Sequence, residues 1–171
     1  MALSAKIQMR VAARQLGGHP ISPQSFAPVV AATLDLAEGT GANQADRVFA
    51  GLRTLASDAS DDIDLRGALL DAFGAALDLT EIVAIGIVNA NADGVPNTTA
   101  LTVGGGSNPF DGIFGTAGDR VVIPPGGFFL IAGGGAAGLG SAAAGSSDIL
   151  RIANGAGASA TYQIIIIARS S

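Results

Sequence analysis

The sequence predicts an all-β fold, a single β-sandwich or jelly-roll-like domain of about eight or nine short strands. Three observations carry that reading. Short apolar runs rich in β-branched residues recur along the 171 residues, and clusters of Gly, Pro and Asn separate them, with 25 Gly and 7 Pro in all. No long stretch keeps a helical period, and short strands set between Gly/Pro turns are the pattern of sandwiches and jelly rolls.

The elements follow in order. Leu3, Ala5, Ile7, Met9 and Val11 alternate with Ser4, Lys6, Gln8 and Arg10. Nine consecutive positions of period 2 predict a half-buried strand, although Leu3, Ile7 and Val11 also fit one helical face. The strand is expected either to close the sandwich or to pair with a neighbouring molecule. It ends at the turn cluster Gly17-Gly18-His19-Pro20, with Pro23 and Pro28 beyond. Residues 29–36 form the next strand and lead into a loop at 38–43. Residues 47–55 read as a strand, and 62–65 as a short one entered from an acidic loop. In the segment 65–73, Leu69, Leu70 and Phe73 are spaced for one or two helical turns, with Gly74 as the stop.

The second half is plainer. Residues 81–89 (EIVAIGIVN) are rich in β-branched residues, as in a buried central strand. Residues 100–103 run into Gly104-Gly105-Gly106. Strands at 120–123 and 127–132 flank Pro124-Pro125-Gly126, whose prolines forbid helix and impose an extended bend. Strands at 149–153 and 161–168 flank a Gly-rich, hairpin-like connection at 154–158. Residues 128–145 are long and uncharged enough to raise the question of a membrane span. Six glycines within them oppose a helix at about 1 kcal/mol each, so a loop leaving a strand is expected. With no internal repeat and no linker, one domain is expected: residues 1–24 as an N-terminal strand or arm, residues 25–171 as the sandwich.

Composition narrows function. A chain of this length buries roughly 70% of its unfolded surface, enough for a core without staples. There is no cysteine, which removes disulfides and thiolate metal sites. Charged residues are 13% of the chain against roughly 25% in ordinary domains, and 49% are hydrophobic. Such a surface suits permanent contacts better than solvent, so assembly is expected. Net charge is −5 and the nine basic residues are scattered, which argues against nucleic acid as a partner. The N-terminus lacks the apolar block of a signal peptide, and no membrane association is expected.

Motifs for chemistry are sparse. His19 is the only histidine and sits in a turn, so Cys/His dyads, multi-His metal sites and triads have no basis. Gly104-Gly105-Gly106-Ser107 follows a strand but lacks the Lys-Ser/Thr of a phosphate loop and the helix of a dinucleotide site; a tight turn needing positive φ explains it. Asp58, Ser60 and Asp62 alternate as hard-cation ligands do, without the glycine and terminal glutamate of a calcium loop; a solvated loop is the simpler reading. With no Trp and one Tyr, sugar or base stacking is poorly supported. No catalytic, cofactor-binding or metal-binding residue is assigned, and no enzyme is expected.

An ordered set of segments carries a resemblance. It runs through residues 39–49 (GTGANQADRVF), 53–56 (RTLA), 63–65 (IDL), 70–74 (LDAFG), 101–105 (LTVGG), 108–110 (NPF), 123–127 (IPPGG), 148–154 (DILRIAN) and 161–166 (TYQIII). In this order and spacing the chain resembles small structural proteins of the virions of tailed bacteriophages, over about residues 39–168. The stretch before residue 25 departs most from the pattern. The resemblance implies a compact β-sandwich on the virus particle, made in the host cytoplasm, without catalytic residues or cofactors. It implies as partners copies of the chain itself, as a trimer or dimer, and the major capsid protein or other virion proteins. A capsid decoration (cement) protein is the first expectation. The alternative is a head-fibre or spike base, or a tail or neck component, with receptor binding possible in that setting.

Overall fold

The computed structural model describes residues 2–18, 20–67 and 69–170. His19, the histidine singled out above, lies outside the described residues. Among those residues the chain is all-β. Its strands are β1 (Ala5–Ala12), β2 (Gln15–Gly17), β3 (Gln24–Phe26), β4 (Val29–Glu38), β5 (Gln44–Ala45), β6 (Arg47–Leu55) and β7 (Ser60–Asp64). They continue with β8 (Glu81–Val88), β9 (Leu101–Val103), β10 (Val121–Ile123), β11 (Phe128–Ala132), β12 (Gly140–Ser141), β13 (Ile149–Asn154) and β14 (Ala160–Arg169).

Two sheets make the sandwich. One has the order β11-β8-β14-β6, with β12 extending β8; the other has the order β10-β9-β13-β7, and all their pairings are antiparallel. Strand alternation points Phe49, Leu55, Ile85, Ile87, Tyr162, Ile164 and Ile166 of the first sheet at Ile63, Leu101, Val103, Ile123, Leu150 and Ile152 of the second. These residues form one buried cluster. Burial of about a dozen such side chains, each contributing roughly 1.5–3 kcal/mol, is the main force holding the two sheets together.

The strands expected at 29–36, 47–55, 62–65, 81–89, 100–103, 120–123, 127–132, 149–153 and 161–168 are all present, within a few residues at their ends. Three expectations are corrected. The strand count is fourteen among the described residues, because β2, β3, β5 and β12 are only two or three residues long and have no apolar run to announce them. Among the described residues of 65–73 no helical turn forms. Leu69 is instead held by a backbone hydrogen bond from Leu77, and Leu70 bridges Ala76, so the chain doubles back at Gly74. The 154–158 connection is not a hairpin either, since β13 and β14 belong to opposite sheets and it crosses the end of the sandwich.

Outside the sandwich, β1 and β4 pair antiparallel from Ala5↔Leu36 to Ala12↔Val29, and β2 pairs β3 beyond them. Only the base of this hairpin packs on the body. Leu36 is buried with Val83, Ala84 and Ile167 on the back of the five-stranded sheet, and Leu3, Ala5, Ile7 and Leu34 pack around them. Every described residue from 8 to 33 is exposed, so the hairpin continues as an arm. The N-terminal strand therefore pairs within its own chain.

Candidate interaction surface

The outer faces of the two sheets differ in kind. On the four-stranded sheet, Arg151 stands opposite Asp62 and donates two hydrogen bonds to its carboxylate at 2.5 and 2.6 Å. That bond, with the attraction of the two charges added and burial opposing, holds the Asp62 carboxyl below the usual carboxylate range and raises the Arg151 guanidinium. Thr102 stands beside this pair in the ladder, opposite Ala153. This face is centred on an ion pair, with Val122 exposed opposite Thr102 at its β10 edge.

The outer face of the five-stranded sheet is apolar. The parity opposite to the core carries Ala50 and Leu52 of β6, Gly86 and Val88 of β8, Phe128 and Leu130 of β11, and Gln163 and Ile165 of β14. At one end the arm base covers this face through Leu36 and its neighbours. At the other end it is bare: Phe128 is 75% exposed, Leu52 55% and Ile165 43%. Gly86 sits at the centre, opposite both Leu130 and Ile165, and a Cβ there would lie 3.0 Å from the Ile165 Cγ2. Its missing side chain leaves a dimple that the two neighbours lean over.

The arm continues this surface. The register places Ile7 opposite Leu34, Met9 opposite Ala32 and Val11 opposite Val30, all on the face that is buried at the base. The other face carries Lys6 opposite Asp35, which form an ion pair at 3.4 Å, and Gln8 opposite Thr33. Ile7, Met9, Ala32 and Leu34 line one wall of a groove whose other wall is Phe128 to Ala132, and Phe128 and Leu130 also line the bare sheet face. The arm and the sheet back thus form one apolar surface that bends around the β11 edge.

Polar residues inside the molecule are occupied in holding loops. Asn89, fully buried, donates to the carbonyls of Thr99, Ile123 and Pro124 and accepts from Asn97 at 2.6 Å. Asn154 donates to the carbonyls of Ala56 and Ala158 and accepts from Thr99 at 2.6 Å. Together they fix the loop end of the sandwich. Arg169, also fully buried, pairs with Glu81 and donates to the carbonyls of Gln44, Ala136 and Gly135. It thereby pins the Gly/Ala run after β11 to the arm base. Gly134 belongs to that run, and a Cβ on it would meet Asn43 Oδ1 at 2.4 Å. A larger residue there requires the Asn43 or Leu34 side chain to move.

The acidic run is taken apart by strand alternation. Asp61 faces inward at the open side of the sandwich, where it accepts from Tyr162 Oη at 2.7 Å and Arg53 Nη1 at 2.9 Å. Asp62 faces outward to Arg151. Burial, with the Asp61 hydrogen bond and charge added and Arg53 opposing, pushes the Tyr162 phenol above the ordinary tyrosine range. Among the described residues no group of three His, Cys, Asp or Glu side chains is placed to hold a metal ion. Gly104, Gly105 and Gly106 have φ of +103°, +72° and +91°, the tight-turn geometry expected of them. Among the described residues no helix is long and apolar enough to cross a membrane.

The exposed apolar face was not foreseen residue by residue. Its signal was present: 81–88 and 163–168 are apolar at both parities, and such strands need cover on both faces. The chain itself supplies that cover only at one end. In comparisons with known proteins, no family model, no curated protein and no solved structure matches the chain.

Proposed function

We propose that the protein is a structural component of a phage virion, a capsid decoration (cement) protein that works through protein–protein interfaces and has no catalytic role. One observation carries the assembly part of this reading: the bare apolar back of the five-stranded sheet, continuous with the apolar face of an unsupported arm. Exposed apolar surface of this extent on a chain with 13% charged residues marks a contact site. A cement protein that bridges capsid subunits adds its binding free energy to the stability of the shell, because it binds only the assembled state. The buried Asn89 and Asn154 serve loop anchoring, which is consistent with a scaffold that presents surfaces. The virion setting rests on the ordered sequence resemblance to phage structural proteins.

Quantitative mass spectrometry of purified particles tests this. A decoration protein is present in hundreds of copies per particle. A dozen copies or fewer would move it to a spike base, tail or neck, and recovery from lysate but never from particles would overturn the virion reading.

A further inference from the structure

We infer that the occupant of the bare sheet face is the arm of a second copy of this chain, so that the protein assembles by arm exchange. The inference deepens the assembly reading above and does not depend on the particle.

Three observations converge on a second copy. The first is pattern. The exposed part of the arm shows Met9, Val11, Val30 and Ala32 on one side of a two-stranded ladder, and the sheet back shows Leu52, Val88, Leu130 and Ile165. Two flat, pleated, apolar surfaces of strand width pack face to face as sheets do in a sandwich. The second is charge. The exposed arm, residues 8–33, contains Arg10 and Arg14 and no acid, whereas the other seven basic and all fourteen acidic residues lie outside it, Lys6 being paired with Asp35 at the arm base. A net charge of +2 on the arm meets −7 on the rest, so an arm is attracted to the body of another copy.

The third is the state of the arm itself. A two-stranded ribbon with both faces in water is marginal, and its unpaired edges invite association. Its own body cannot cover it beyond Ile7, because the β11 edge ends the sheet there and a groove opens between them. A second copy offers the same sheet back that the arm base already packs against in its own chain. The exchanged contact therefore extends one that exists within the chain, and a closed ring or pair of such contacts leaves no arm uncovered.

The test uses the full-length chain in sedimentation equilibrium, with Val11→Asp on the arm and Leu52→Asp or Ile165→Asp on the sheet. Wild type is expected to sediment as a multiple of 16.7 kDa. Each variant is expected to weaken association about thirtyfold or more while its circular dichroism is unchanged, since the altered side chains are exposed in the single chain. The decisive arm is mixing. Val11→Asp keeps an intact sheet face and Leu52→Asp keeps an intact arm, so an equimolar mixture regains association that neither has alone. A monomeric wild type, association untouched by Val11→Asp, or a mixture that stays monomeric overturns the inference; a monomer that is nonetheless abundant on particles would do so while leaving the virion proposal standing. An assembling chain absent from particles would do the reverse.

Discussion

Ile7 and Met9 lie two residues apart on the same face of β1, yet Ile7 packs against the Leu36–Val83–Ile167 cluster and Met9 is 43% exposed. The arm leaves the body between them. Everything beyond that point is outside the core, and the cost of removing it is correspondingly small. Replacing residues 10–31 by a two-residue turn that joins Met9 to its register partner Ala32 is expected to change the melting temperature by no more than roughly 2 °C. Thermal unfolding followed by circular dichroism measures this, and a large loss would show that the arm supports the single chain. Removing residues 1–16 instead strips β1 from Leu34 and Leu36 and is expected to prevent full assembly.

Asn89 is where several loops depend on one side chain. Asn89→Ala leaves the carbonyls of Thr99, Ile123 and Pro124 without their donor and Asn97 without its acceptor. The expected cost is about 3 kcal/mol, a fall of roughly 6–12 °C in melting temperature. Urea unfolding would give the free energy directly, and a loss below about 1 kcal/mol would show that water replaces the amide.

Arg169 and Glu81 form an ion pair between β14 and β8, with Arg169 wholly buried. Glu81→Leu alone leaves an uncompensated buried guanidinium and is expected to cost about 3–5 kcal/mol. The double variant Glu81→Leu/Arg169→Met is expected to recover part of that loss, because two well-packed apolar side chains replace two buried charges. A double-mutant cycle in urea checks both figures.

Tyr162 is the only tyrosine, so its titration can be followed by absorbance without overlap. The folded state holds the phenol neutral above its ordinary value of 10.0. A folded-state value that is raised contributes stability that is complete below about pH 10 and is lost as pH rises from there toward the folded value. The phenolate band is therefore expected to appear together with loss of near-ultraviolet dichroism, not before it. Tyr162→Phe removes the hydroxyl from Asp61 at a cost of about 1 kcal/mol and abolishes this alkaline dependence.

The architecture was legible because each long strand carries its own periodicity and each turn its own glycine or proline. Ile63, Leu101 and Ile123 could be assigned to strands from local pattern alone. Partner choice is not local. Nothing near Asn154 tells whether β14 returns beside β13 or crosses to the opposite sheet, since that depends on pairing with β6 and β8, laid down some 75 to 121 residues earlier. The 65–73 segment departs for a related reason: a helical spacing of Leu69 and Phe73 was overridden once Leu69 accepted from Leu77 and was buried in the core. The interaction surface was half legible. Apolar residues at both parities of β8 and β14 stated that both faces need cover, but which stretch the arm base reaches is set by the β1–β4 register in three dimensions.

Cryo-electron microscopy of purified particles reads the proposed arrangement without an intermediary. Density for this sandwich is expected in many copies on the capsid, with Leu52, Val88, Phe128, Leu130 and Ile165 buried against another subunit. Particles that lack the sandwich, or that carry it with this sheet face turned to solvent, would contradict it.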